Sequence, residues 1–248
     1  MKEQEATSDS FGVSARNRLK RRHDRGRYDH EAVYAVLDAG FMCHVAYVID
    51  GQPYCTPTIH WREGDWLYWH GSSASRMLRH LAKGTPACVT VSHLDGLVLA
   101  RSGFNHSANY RSAICFGTAA IITAPDEKAQ ALLGIVDRFF PGRSKELRQT
   151  HGQETKATTV IGMRIEEASA KVRAAGVGDD EEDYSQPVWA GVIPIQTVIG
   201  TAEPCPRLLP GMGKTAGLAG YREGRRLDET LLEAQQLYER EEAAEPAT

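Results

Sequence analysis

Asp50-Gly51, set between apolar and β-branched runs at residues 41–49 and 52–61, is the strongest hairpin signal in the chain. A two-residue connection of this kind needs positive φ at both positions, which Asp tolerates and Gly adopts freely, so the two runs are expected to pair antiparallel. Similar punctuation recurs downstream. The turn Arg62-Glu63-Gly64-Asp65 leads to a strand at 66–70, strands at 87–93 and 97–101 are expected to fold back around Asp95-Gly96, and others are read at 111–123, 160–166, 168–175 and 188–199. Helices are few. Asp29 caps one through Ala39 that gathers Ala32, Val33, Val36 and Leu37 on a face; a second at 73–83 stops at Gly84; a third at 126–140 stops at Pro141-Gly142. The chain is expected to be mainly β (β+α), its strands forming a barrel with peripheral helices.

A chain of 248 residues can hold one sizeable domain with extensions. Three segments are expected: a basic arm at 1–28, a folded domain at 29–205, and at 206–248 a Pro- and Gly-rich segment with a charged amphipathic helix at 227–242, peripheral or reaching across to a partner. Arg16, Arg18, Lys20, Arg21, Arg22, Arg25 and Arg27 give the arm its charge. With no aromatic interleaved before Tyr28 and no second basic patch in the sequence, the arm is expected to be solvated or to lie on a neighbouring subunit, and not to bind nucleic acid. The formal charge of −3 and pI near 6.3 give no global attraction to nucleic acid or an anionic membrane. Residues 1–10 are polar and no run of roughly 18 apolar residues occurs, so neither export nor membrane spanning is expected. Cys43, Cys55, Cys88, Cys115 and Cys205 lack a C-x-x-C pair and mostly sit in apolar runs, which fits a reduced cytoplasm; the Asn105-His106-Ser107 sequon is then a chance match.

Several familiar chemistries are excluded by spacing. Gly213-Lys214-Thr215 has Leu208 where a P-loop requires glycine, and Gly211-Met212-Gly213 lacks the strand and third glycine of a dinucleotide fold. The nine histidines show no metal-ligand spacing, so no metal site is expected. No G-x-S-x-G elbow occurs, and Cys43 and His44 are adjacent on a strand and face opposite ways.

One stretch does carry chemistry. The aromatic strand Trp66-Leu67-Tyr68-Trp69-His70 breaks at Gly71 into Ser72, Ser73 and Ser75, and Arg76 follows in the first turn of a helix. Such a junction collects unpaired N–H groups, hydroxyls and one cation, a combination suited to a phosphate; the same residues also suit an ordinary helix capped by Ser72 or Ser73 with Arg76 on a solvated face.

Taken in order, Gly51-Gln52-Pro53, Thr56-Pro57-Thr58-Ile59-His60, Leu67-Tyr68-Trp69-His70-Gly71, Ser75-Arg76-Met77-Leu78, Tyr110-Arg111-Ser112, Phe116-Gly117 and the Trp189-Ala190-Gly191-Val192-Ile193-Pro194 segment resemble the pyridoxamine 5′-phosphate oxidase-like FMN-binding split-barrel family, and within it the nitroimidazole-reductase-like branch. The likeness runs over roughly residues 16–205. It implies a six-stranded split β-barrel that dimerises to form two flavin sites. It also implies Thr56, Pro57, Thr58 and His60 along the flavin edge, His70 and Gly71 beneath the ribityl chain, Ser75 with Arg76 at the phosphate, Arg111 and Ser112 approaching from a neighbouring strand, and Trp69, Ser72 and Trp189 as further cofactor-binding residues. Trp61, Trp66 and Trp69 are expected to be exposed at a partner surface.

The family pattern has a second cation after its Ser-Arg pair, where this chain has Met77, and its late substrate motifs have no counterpart near Ile199-Gly200 or Cys205-Pro206-Arg207. Pyridoxamine-phosphate oxidation is therefore the least favoured activity. The resemblance points to an FMN oxidoreductase that reduces a small planar, nitro-aromatic-like acceptor with a nicotinamide or other reductant. The alternative is a flavin- or haem-binding storage or sensing protein, with His60, His70 or His106 as haem ligand. The loop 104–110 is expected to line the mouth of the flavin site, with His106 and Tyr110 as catalytic candidates because each can exchange a proton with a substrate.

Overall fold

A computed structural model describes residues 9–244, with side chains through residue 241. The outermost parts of the expected arm and tail, residues 1–8 and 245–248, lie outside the described residues. Strand exceeds helix, 34% against 28%, in agreement with the mainly β expectation. Among the described residues there are ten strand segments. They fall into two units, one built from residues up to Leu37 with Val89–Phe116 and Glu166–Gln196, the other from Asp38–Cys88 and Gly117–Ile165 with the chain from Thr197 onward.

The first unit holds β1 (Gly26–Arg27), α1 (His30–Asp38, up to Leu37), most of β6 (Thr85–Leu99), the first part of β7 (Ser107–Ile121), β9 (Glu167–Arg173) and β10 (Gly191–Pro194), in the sheet order β10-β6-β7-β9-β1. α1 begins as expected, with the Asp29 carboxylate accepting from Ala32 N at 2.8 Å, and buries Val33, Val36 and Leu37. The described part of the arm, by contrast, is docked at several points, with residues 20–24 left exposed. Phe11 and Asn17 are buried, β1 pairs with β9 at Gly26↔Lys171, and Arg16 bonds Glu167 at 2.6 Å. Tertiary contacts that no local pattern encodes hold it there: Phe11 packs on His30 with ring centroids 4.3 Å apart, and Asn17 donates to the Gly12 and Ala168 carbonyls.

Asp95-Gly96 does not turn. β6 runs straight through it, because β10 pairs across with Pro194 opposite Gly96 and Ile195 N donating to Asp95 O at 3.0 Å. Glycine is needed there for close approach: a Cβ would meet the Ile193 carbonyl at 3.1 Å. β7 likewise starts at Ser107, four residues before the expected Arg111, since Tyr110 pairs with Arg173 on β9. The expected strand at 188–199 shrinks to β10 between Pro187 and Pro194, each lacking an N–H. The Asp179 carboxylate is fully buried and accepts from Arg101 N and its guanidinium.

The second unit contains β2 (Met42–Ile49), β3 (Gln52–Ile59), β4 (Trp61–Glu63), β5 (Trp66–Ser72), α2 (Arg76–Leu81), α3 (Pro125–Phe139), α4 (Gly152–Ala157), β8 (Thr158–Arg164) and α5 (Leu227–Ala244). β2 and β3 pair throughout, from Ile49↔Gln52 to Met42↔Ile59, and the connecting Asp50 and Gly51 take φ of 50° and 75°, as the Asp-Gly signal requires. β8 lies between β5 and the end of β7. The Gly142 stop of α3 has φ 72°. Trp61, Ala131, Phe139, Val160 and Leu231 form a core that joins β4, α3, β8 and α5. The C-terminal helix is therefore not peripheral: it buries Thr230, Leu231, Ala234 and Gln235. Trp61 and Trp69 are also core residues, and of the three tryptophans expected at a partner surface only Trp66 is exposed. Cys43 and Cys115 are buried as small hydrophobes, burial pushing the Cys43 thiol up to about 12, whereas Cys55 and Cys205 are exposed. No described helix is long and apolar enough to cross a membrane.

Candidate functional site

The strand–turn–helix junction forms in the second unit, with a division of labour set by the β5 pleat. Leu67 and Trp69 turn into the core, and Tyr68 and His70 face the other way. Trp69 is 0% and His60 2% exposed, so both side chains pack inside the unit and present almost no surface. His70 stands edge-on to Trp61, ring centroids 6.0 Å apart, with Nδ1 buried and without a hydrogen-bond partner. Burial pulls its pKa below the usual 6.5, so the imidazole is neutral at pH 7.

At the end of β5, Gly71 lies against α2, where a Cβ would meet Leu78 Cδ1 at 3.1 Å. Ser75 caps the helix, its Oγ accepting from Leu78 N at 3.5 Å, and Ser72 Oγ accepts from Ala74 N at 3.2 Å. Ser73 N and Ser75 N donate to the Ala157 and Ser72 carbonyls, both at 2.9 Å. The junction thus uses more of its own donors than the sequence led one to expect. Arg76 is what it leaves available. Its exposed guanidinium stands 4.4 Å over the Tyr54 ring, and no carboxylate pairs with it among the described residues.

Tyr54 connects this cation to β3. Tyr54, Thr56 and Thr58 share the half-buried face of the strand, and Cys55 and Pro57 share the exposed one. Tyr54 stacks with Tyr47 at 5.6 Å, and the Tyr47 hydroxyl bonds Thr56 Oγ1 at 3.1 Å. Arg76, Tyr54, Thr56 and Thr58 therefore follow one another along a single face, from which Pro57 points away.

The remaining expected residues belong to the first unit. Arg111 forks onto Asp95 through bonds of 2.9 and 2.8 Å, which neutralises its charge. Ser112 donates to the Lys171 carbonyl at 3.4 Å, and Trp189 is 65% exposed, its ring lying against Gly191. His106 is exposed, with Nδ1 at 2.8 Å from the Ser102 carbonyl. Tyr110 has a pKa below the usual 10: burial opposes the shift, but hydrogen bonds from Arg25 and Lys171 and their charges outweigh it.

Sequence reasoning passed over one buried charged group in the second unit. Arg62 donates to Asp38 at 2.6–3.1 Å and to Glu239 at 2.7 Å, while Arg138 donates to the Asp38 and Leu231 carbonyls at 3.0 and 3.2 Å. Burial lowers Arg138 to about 10. The only trace of this group in the sequence is a charge at the end of an apolar helix face and another beside Trp61, and both read as surface residues.

With this geometry in place, the comparisons are informative. The pyridoxamine 5′-phosphate oxidase family model matches residues 29–172, more than half of the chain. The chain belongs to that family. Among solved structures, the flavocytochrome Anf3 from Azotobacter vinelandii is 46% identical with a TM-score of 0.80, over 85% of this chain and 98% of that one. The FAD and heme binding protein from Mycobacterium smegmatis is 38% identical with a TM-score of 0.77, over 82% of this chain and 98% of that one. Comparison with the curated proteins gives no match. As a pyridoxamine 5′-phosphate oxidase family member, the chain keeps the Ser75-Arg76 pair on its capped turn and has buried Met77 next to it.

Proposed function

We propose that this protein binds a flavin whose phosphate is held by Arg76 and whose body lies along the Tyr54–Thr58 face of β3, and that it works with haem as an electron-transferring flavoprotein. The observation that carries the reading is the Arg76 guanidinium, exposed over Tyr54 and without a carboxylate partner. A guanidinium in this state offers two parallel N–H groups to a phosphate, and a fixed aromatic keeps it from folding back on the surface. Thr56 and Thr58 add hydroxyls on the same face, and β3 pairs only with β2 among the described residues, which leaves backbone groups free along its other edge. A bound flavin would supply one- or two-electron transfer; the chain's own residues hold and orient it.

The haem part of the reading rests on two relatives of 46% and 38% identity, one a flavocytochrome and the other an FAD and heme binding protein. It takes precedence over nicotinamide-driven reduction of a nitro-aromatic acceptor, which no residue of the site favours specifically. Exposed Met42 and Val48 on the outward face of β2 support a homodimer.

The test is reconstitution of the full chain. Titration with FMN, FAD and haem is expected to give flavin absorbance with tryptophan quenching, and a Soret band that is lost in either His70→Ala or His106→Ala. A protein that takes up no flavin overturns the reading. One that takes up flavin but no haem, and whose flavin is bleached by NADPH and restored by a nitro-aromatic acceptor, replaces the haem part with the reductase.

A further inference from the structure

In the first unit the arm folds back so that Arg21, Arg22 and Arg25 line a pocket of about 550 Å³ together with Lys171 and Arg173 of β9. Phe104, Asn105, His106 and Ser107 form another part of its wall. The sequence shows seven arginines and lysines between residues 16 and 27 with no matching patch, because Lys171 and Arg173 sit far away in the chain; the β1–β9 pairing brings them together through Gly26↔Lys171.

The cations are poorly compensated. Among the described residues the one carboxylate near any of the five is Asp24, 3.5 Å from Arg22 with both side chains exposed. Arg25 and Lys171 donate to the Tyr110 hydroxyl, and Arg173 donates to Asn109 and to the Ala175 and Gly176 carbonyls. Arg173 has a lowered pKa, from burial first and then from repulsion by Arg25 and Arg22. Two donors are also left over, since Arg173 Nε and Asn105 Nδ2 are buried without partners. An unsatisfied buried donor is costly, so donors of this kind beside like charges mark a place prepared for an acceptor-rich anion.

We propose that this pocket binds the diphosphate of a nucleotide. A single carboxylate or chloride would leave most of the positive charge unmet. A diphosphate carries several negative charges and many acceptor oxygens, which match guanidinium forks and the amide of Asn105. The volume lies in the range of small-molecule pockets, roughly 300–1,000 Å³, and the site is concave, which favours a small ligand over a nucleic-acid strand. Phe104, 95% exposed at the rim, offers a ring face to a base. The diphosphate is that of a diffusible nucleotide, separate from the flavin. The assignment does not depend on Arg76, which lies in the other unit.

The experiment is calorimetric titration of the full chain with inorganic pyrophosphate and with ADP, before and after loading with flavin. Wild type is expected to bind both, ADP more tightly, with affinity falling steeply as salt rises. Arg21→Ala combined with Lys171→Ala should weaken binding at least tenfold. Asn105→Asp, nearly isosteric and placing a negative charge in the pocket, should abolish it with an unchanged circular dichroism spectrum. Arg27→Ala removes a cation of the same arm outside the pocket and should leave affinity unchanged. Absence of pyrophosphate binding by wild type, equal binding by Asn105→Asp, or tighter binding of a single-stranded RNA oligomer that ADP does not displace would each overturn the proposal. Loss of ADP binding on loading with FAD but not FMN would also overturn it, because the flavin's own diphosphate would then occupy the pocket. Undiminished ADP binding by the FAD-loaded protein identifies a separate nucleotide.

Discussion

Arg62 grips Asp38 through three nitrogen–oxygen contacts of 2.6–3.1 Å, with both side chains almost wholly buried, and so fastens β4 to the residue that ends α1. Burial works to raise the Asp38 carboxyl, and the Arg62 fork and the nearby Arg138 charge oppose it. Glu239 of α5 adds a second carboxylate to Arg62. The group is therefore a clamp between sequence-distant elements.

Asp38→Asn removes the anion and leaves two buried guanidiniums facing each other's charge. It should destabilise the protein by about 3–5 kcal/mol, the range for breaking a buried pair from one side. Glu239→Gln, at a half-exposed position, should cost no more than about 1 kcal/mol. Urea denaturation of the two variants checks the contrast, and equal losses would mean that α5 depends on Glu239 as much as β4 depends on Asp38.

The pH dependence of stability should carry a signature of His70. Unfolded, its imidazole takes a proton near the usual 6.5, whereas in the folded chain burial keeps it neutral to lower pH. The contribution is complete above pH 6.5 and declines as the pH falls from there toward the folded value. His70→Phe, which keeps a ring against Trp61, should flatten the stability profile below pH 6.5 relative to wild type. Parallel profiles would show that the folded imidazole takes up its proton as readily as the unfolded one.

Gly117 of β7 has no room for a side chain, because a Cβ would collide with the Arg164 carbonyl and come within 2.9 Å of Met163 Cγ. Gly117→Ala should lower stability by about 1–3 kcal/mol, as overpacking does. Thermal unfolding checks it, with Gly152→Ala, where nothing lies within 4 Å, as the benign control.

Arg76→Ala should weaken flavin binding by about 1.5–3 kcal/mol, the worth of a hydrogen bond to a charged group. Trp69→Phe, altering a core residue of the same strand, should lower stability and leave the affinity of the folded protein within a few-fold. A reversed pattern in fluorescence titrations would move the phosphate away from Arg76.

Local chemistry was legible wherever one turn or cap decides the outcome. Asp50-Gly51 adopts positive φ at both residues, Asp29 caps its helix and Gly142 stops α3, all from signals within a few residues, whereas the cap expected at Ser72 or Ser73 falls on Ser75. The same local logic failed at Asp95-Gly96, where β10, about a hundred residues on, provides a pairing partner that keeps the strand extended. The ordered motifs also placed the chain in its family, because a cofactor fold constrains residue types at fixed spacings. What the sequence by itself could not determine is which charges meet. Asp38 with Arg62 and Arg138, Arg111 with Asp95, and the basic arm with Lys171 and Arg173 are joined only by sheet register and helix packing, and electrostatic energy depends on distances in space that no spacing along the chain records. Exposure was decided at the same level: Trp61, Trp66 and Trp69 look alike in sequence, and the pleat and the helices covering it bury two and leave one at the surface.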